Sequence, residues 1–256
     1  MAWTERHRLM LQEIGIRLWA PVAAEPAKPI AGVEAPKVPT PMRAAVAPTP
    51  TPLAAVPADE RSAAIATMAW PVLRDAVAAC TACDLCQSRR QTVFGVGHPN
   101  AHWLIVGEAP GEQEDLKGEP FVGPAGHLLD NMLRALNLTR EEAPPERQVY
   151  ITNTLKCRPP RNRNPEPEEL ARCEPFLLRQ IELIRPRLIL AMGRFAVHSL
   201  LQSNEPIGKL RGRVHRYQGV PLVVTYHPAY LLRNLADKSR AWDDLCLAAQ
   251  VADAAG

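Results

Sequence analysis

The stretch W-L-I-V-G-E-A-P-G, residues 103–111, decides the fold class. Residues 103–106 are large apolar side chains without polar alternation, the pattern of a strand covered on both faces. Glycine, acid and proline follow at once, so the strand runs straight into a loop. The arrangement returns at 149–152 before Asn153, at 188–191 before Met192 and Gly193, and at 222–226 before His227. Stretches of helical spacing fill the intervals, at 125–136, 165–184 and 194–201, and a last one covers 239–251. Such alternation predicts an α/β fold, a parallel sheet with helices on both faces. The 165–184 helix starts well, with Asn164 as cap, Pro165 in the first turn, and Glu166, Glu168 and Glu169 at the positive end of its dipole.

Ligands of such sheets bind at the loops beyond the carboxyl ends of the strands. Three chemically distinctive loops fall there: 107–115, 153–160 and 227–233. The first is glycine-rich but lacks the G-K-[ST] of a P-loop, which argues against a nucleoside triphosphatase. Its acids, Glu108, Glu112, Glu114 and Asp115, disfavour phosphate and suit water activation or stabilisation of a developing cation. Asn153 offers an amide, donor and acceptor together, able to read a pyrimidine edge. His227 can stabilise an anionic leaving group. The apolar residues after it can wedge into a base stack. Phe121, in the rigid G-E-P-F-V-G-P-A-G loop at 118–126, can stack on a flat heterocycle, although a lone aromatic is more often core.

Away from these loops the chain changes character. Residues 21–57 hold ten of the 26 prolines and almost no large apolar side chains. Such a segment cannot bury enough surface to offset its ordering entropy, so a disordered Pro/Ala-rich linker is expected over 21–61. Before it, Met10, Leu11, Ile14 and Leu18 give residues 1–20 an amphipathic helical pattern. That helix is either a docking peptide for a partner protein or a piece that packs back on the folded domain, expected over 62–256. The domain should open with a helix over 62–79 whose apolar face is Ile65, Met68, Val72 and Val77.

The net charge of +3 does not announce a nucleic-acid binder, but basic residues gather at 156–163, 209–216 and 233–240. No apolar run is long enough to cross a bilayer and no secretory signal is evident, so a cytoplasmic, nucleoid-associated monomer is expected. In that compartment cysteines are better read as metal ligands than as disulfides. Cys80, Cys83 and Cys86 form C-T-A-C-D-L-C, and Cys157 and Cys173 follow downstream. Spacing alone chooses neither between zinc and an iron–sulfur centre nor among the first three cysteines. Cys246 has no cysteine neighbour.

These motifs together resemble the family-four uracil-DNA glycosylases, the iron–sulfur branch of that superfamily. The resemblance runs from Cys80 to Leu247 through C-T-A-C, V-F-G-V-G at 93–97, V-G-E-A-P-G-E-Q-E-D at 106–115, P-F-V-G-P-A-G at 120–126, I-T-N-T-L-K-C-R-P-P at 151–160, R-G at 211–212 and H-P-A-Y-L-L-R at 227–233. It implies a three-layer αβα domain around a four-stranded parallel sheet. It implies a structural [4Fe–4S] cluster held by Cys80, Cys83, Cys157 and Cys173, with Cys86 a bystander. It implies hydrolysis of the bond between uracil and deoxyribose in DNA, single- or double-stranded, with the nucleotide flipped from the stack. Phe121 would stack on uracil, Asn153 would read its edge and His227 would stabilise the uracil anion. Leu231 would be the wedge, with Tyr230 and Leu232 as alternates, and Arg233 would hold phosphate. Ala109 stands where better-known relatives carry a water-positioning aspartate, which leaves Glu108 and Glu114 as candidates for that role. The inserted basic, histidine-containing loop of relatives that trap the sugar is absent, so turnover is expected. An inactive repair adaptor and a zinc-stabilised nucleotide hydrolase are the competing readings. Intact Asn153 and His227 argue against the first, and a brown colour would exclude the second.

Overall fold

The computed structural model describes residues 60–254. The 1–20 helix and nearly all of the 21–61 linker lie outside the described residues. Six strands form one sheet: β1 (Val96–Gly97), β2 (Trp103–Gly107), β3 (Val149–Asn153), β4 (Leu188–Met192), β5 (Val214–Tyr217) and β6 (Val220–Thr225), in the order β1-β3-β2-β4-β6-β5. The four expected strands are the four central, mutually parallel ones. Two short antiparallel strands extend the sheet at its edges. Neither edge strand has an apolar run: β1 has two residues and β5 is largely exposed. β5 turns into β6 at Gln218 and Gly219, both at positive φ, 48° and 86°, as a tight primed hairpin turn requires.

Period-two alternation sends the two faces of the central strands into two cores. Leu104, Val106, Ile189, Ala191, Leu222 and Val224 pack with Leu177 and Ile181 of the Pro167–Ile184 helix and with Val197 and Leu200 of the Arg194–Leu201 helix. Trp103, Ile105, Val149, Ile151, Leu190 and Val223 face the other way, onto Leu129 and Leu133 of the Pro124–Ala135 helix and Leu245 of the Lys238–Ala254 helix. The result is the three-layer sandwich. Among the described residues no helix is long and apolar enough to cross a membrane.

Two helical expectations are corrected. The 62–79 stretch is two helices, Glu60–Ala66 and Trp70–Ala78, the second with Pro71 in its first turn. The break resets the helical phase. Leu73 therefore points inward with Ile65 and Val77, while Val72 is 54% exposed. The long helix begins at Pro167, not 165. Glu166 is its cap, and its backbone N–H donates to the Glu169 carboxylate at 2.9 Å.

Candidate active site

All four parallel strands end on one edge, and the order reverses about β2: β3 lies on one side of it and β4 on the other. That is the switch point at which open α/β sheets bind ligands. Gly107 and Asn153 end β2 and β3 side by side, in register. A side chain on Gly107 would strike both the Asn153 amide oxygen and the Phe121 ring, so only glycine lets the three meet. Phe121 is buried and held at φ 55°, a left-handed conformation uncommon for a bulky residue. Its carbonyl packs where a side chain on Gly126 would stand. The Phe121 ring stacks on the His227 ring, with centroids 5.3 Å apart and planes 28° apart.

Asn153 is 2% exposed, and its side-chain oxygen has no hydrogen-bond partner among the described residues. A buried acceptor left unpaired costs roughly 1–3 kcal/mol, so this one is set for a donor that arrives with the ligand. His227 follows β6 and caps the Pro228–Leu231 helix, its Nδ1 accepting from the Ala229 N–H at 3.2 Å. Burial first, and Arg233 second, lower its pKa to about 4. At neutral pH it is an uncharged imidazole with Nδ1 occupied as acceptor, so the ring proton sits on Nε2.

The two acidic candidates separate. Glu114 accepts from the backbone N–H groups of Gly111 (3.0 Å), Val122 (2.9 Å) and Gly123 (3.2 Å), pinning the 107–111 loop to the Phe121 loop. Both oxygens take part in holding the two loops together. Glu108 is partly buried, and burial raises its pKa while Arg194 opposes the shift. Its backbone carbonyl is fixed by the Thr154 hydroxyl at 2.5 Å and the Leu155 N–H at 3.1 Å. Ala109 packs against Leu85, Leu155 and Cys157 and presents no polar group.

The 227–233 loop turns its two leucines in opposite directions. Leu231 is 1% exposed, because the Pro228–Leu231 helix turns it inward; Leu232 is 42% exposed and Leu235 64%. Leu231 is turned into the domain, and Leu232 is the outward apolar side chain. Tyr230 is held by stacking on Tyr226, with centroids 5.1 Å apart, and by donating its hydroxyl hydrogen to Asp237 at 2.7 Å. Arg233 is exposed.

Lys156, expected in a basic surface cluster, is instead 1% exposed. Its ammonium donates to the Asn153 carbonyl (2.8 Å), the Thr152 hydroxyl (2.6 Å) and the Gln180 side-chain oxygen (2.7 Å). Burial lowers its pKa to about 8, against the pull of Cys173 and Cys157. The buried Lys156–Gln180 pair was not expected; the available signal was a lysine three residues after Asn153, inside an otherwise buried segment.

Cys80, Cys83, Cys157 and Cys173 line one cavity with Val77, Phe176 and Lys156, whereas Cys86 lines a different cleft. Nitrogen donors point at three of the sulfurs: Arg89 at Cys157 (3.0 Å), the Lys156 N–H at Cys173 (3.3 Å) and Arg61 at Cys80 (3.6 Å). Burial raises the Cys83 and Cys157 thiols and pushes Cys173 up to about 12. Among the described residues no three His, Cys, Asp or Glu side chains form a ready-made site for a metal ion.

An α/β sheet that gathers an amide, an aromatic ring and a neutral histidine at its switch point defines a class, and the comparisons agree with it. A family model described as Uracil DNA glycosylase superfamily matches residues 94–246. A type-4 uracil-DNA glycosylase of Archaeoglobus fulgidus is 44% identical over 164 residues, covering 61% of this chain and 79% of the relative. One from Thermotoga maritima is 43% identical over 171 residues, covering 66% and 86% respectively, and one from Saccharolobus solfataricus is 43% identical over 172, covering 64% and 77%. The chain belongs to the uracil-DNA glycosylase superfamily, in its type-4 branch.

Proposed function

We infer that this protein removes uracil from DNA by hydrolysing the N-glycosidic bond, the opening step of base-excision repair. The observation that carries the reading is the unpartnered, buried Asn153 oxygen beside Phe121, on a chain of type-4 ancestry. Uracil presents an N–H flanked by two carbonyls. The Asn153 oxygen accepts from that N–H, and the amide nitrogen donates to the neighbouring carbonyl. Cytosine has no hydrogen on that ring nitrogen and leaves the amide unmatched. Phe121 lies against the ring.

In the reaction the C1′–N1 bond breaks and its electron pair leaves with uracil. The sugar becomes oxocarbenium-like, and negative charge gathers on uracil O2. The Nε2–H of His227 donates to that oxygen. A neutral imidazole stabilises the anion without first being neutralised by it. Water adds to C1′ and releases a proton to solvent, and the departing uracil anion takes up a proton in exchange, which leaves a 1′-hydroxyl and neutral uracil. Glu108 orients that water, its carboxylate being the acidic group at the end of β2 not committed to holding loops. Leu232 fills the vacated stack and Arg233 holds a flanking phosphate.

Cys80, Cys83, Cys157 and Cys173 hold a [4Fe–4S] cluster. The chemistry of the donor set fits: the four cysteines line one cavity, and N–H donors aimed at three of their sulfurs would stabilise thiolate charge. When bound, the cluster supplies cross-linking between segments 80–83, 157 and 173. The enzyme acts as a cytoplasmic monomer at the nucleoid, and residues 1–20 offer a site for a partner protein.

The test is a gel assay on single-stranded DNA carrying one uracil, with alkali to cut abasic sites and a thymine control. Cleavage at uracil alone is the expected outcome. Absence of cleavage by iron-loaded protein would overturn the reading in favour of a binding adaptor.

A further inference from the structure

A cleft of about 1020 Å³ lies along the β1 edge of the sheet, and Asn153, Phe121 and His227 do not line it. Trp70, Arg74, Arg90 and Phe94 line it, together with Gly118 and Glu119. Trp70 meets the Phe94 and Tyr150 rings edge-on, at 5.2 Å each, and Arg74 lies over Phe94 at 6.0 Å. Trp70 and Phe94 remain partly exposed, and Arg74 and Arg90 are exposed. Among the described residues the guanidinium groups of Arg74 and Arg90 make no hydrogen bond or ion pair. Arg89, the third arginine of the cleft, is spent inward on Cys157 and on the carbonyls of Ala78 and Cys80. Glu119 is the one acid in the lining.

The basic clusters expected from sequence behave differently. Arg163 is paired with Glu169, Arg211 with Asp244, Arg213 with Glu205 and Arg240 with Asp237, and Lys156 is buried. Arg161, Lys209, Arg233 and Lys238 of those clusters make no ion pair among the described residues, but this cleft sets unpaired positive charge among aromatic faces. That combination recognises a chain of phosphates with bases free to stack, a single-stranded nucleic acid. The cleft also shares segments with the base pocket. Glu119 stands two residues before Phe121, and the Phe94 carbonyl accepts from the hydroxyl of Thr152, the residue before Asn153.

We propose that this cleft binds the single-stranded DNA that flanks the uracil, with Arg74 and Arg90 on phosphates and Trp70 and Phe94 against bases. The proposal rests on the uracil-excision reading for its substrate, and its test does not. Binding of a fluorescent, uracil-free polythymidine to the full chain is followed by anisotropy across a salt series. The double variant Arg74→Ala/Arg90→Ala should bind more weakly, with a log K against log salt slope shallower by about 1.4, two contacts at ~0.7 each on a single strand. The single variant Arg90→Glu, at an exposed and unpaired position, gives the same reading should the double variant fail to fold. A slope and affinity equal to the parent's would overturn the proposal. So would a loss confined to duplex DNA. On uracil-bearing substrates, the variants should lose more kcat/KM on a long single strand than on a trinucleotide. Equal losses on both would point to a damaged base pocket and count against the cleft. A parent protein that binds polythymidine through these arginines yet leaves uracil in place would sink the excision reading and leave the cleft standing.

Discussion

Asn153 is held at its backbone and open at its side chain. Its oxygen is the acceptor left open, and its backbone carbonyl is gripped by Lys156 at 2.8 Å. Replacing it with alanine should lower kcat/KM on uracil-containing DNA by about 10- to 100-fold, the ~1–3 kcal/mol of a base-reading amide. Affinity for uracil-free DNA, measured by anisotropy, should stay at the parent's value. His227 makes a second residue-level prediction. Its pKa of about 4 lies below the ~6.5 of an unfolded histidine, so between those values the unfolded chain holds the extra proton. Its contribution to stability is complete above the upper value and is lost as pH falls toward the lower. The imidazole signal in an NMR titration should therefore stay flat from pH 8 to about pH 5; a midpoint near 6.5 would contradict the assignment. The strand-end residues were legible because an amide or imidazole directly after an apolar run has little reason to be there except chemistry. Leu231 and Leu232 were not legible. Which of two adjacent leucines turns inward depends on how one short helix seats on the domain. Lys156 was misread because its partner Gln180 is on another element, 24 residues away.

Elements fix what residues alone cannot. Glu114 ties the loop after β2 to the loop carrying Phe121, and the Pro167–Ile184 helix carries both Cys173 and Gln180. The cysteine set therefore makes an element-level prediction. Single Cys→Ser changes at Cys80, Cys83, Cys157 or Cys173 should lower bound iron and the brown absorbance, while Cys86→Ser should keep both at the parent's level. Iron analysis beside the visible spectrum decides it, and iron loss in Cys86→Ser would redraw the ligand set. The four central strands and the later helices could be read because burial on both faces leaves an unbroken apolar signature. The edge strands could not, since β1 is two residues long and β5 faces solvent. The break between the first two helices was hidden because apolar residues continue across it while the phase shifts.

At the scale of the whole molecule, every element of the pocket, the cysteine cavity and the sheet falls within residues 60–254. Removing residues 1–59 should therefore leave the rate of uracil excision by the purified protein within about twofold of the full chain, with the melting transition retained. A large loss with the transition intact would make the extension part of the catalytic unit. Net charge was a poor guide to the DNA-facing surface. Ion pairing cancels much of the arginine count locally, and that cancellation depends on which acids the fold brings near.

The crowding at Gly107 has a consequence for descent. The space a side chain on Gly107 would take is filled by the Asn153 amide and the Phe121 ring. A lineage cannot put a side chain on Gly107 without displacing the other two. Drift toward a different base would need several coordinated replacements, each harmful alone. Such a pocket is historically locked: its neighbours are free to vary while these three positions are held by one another.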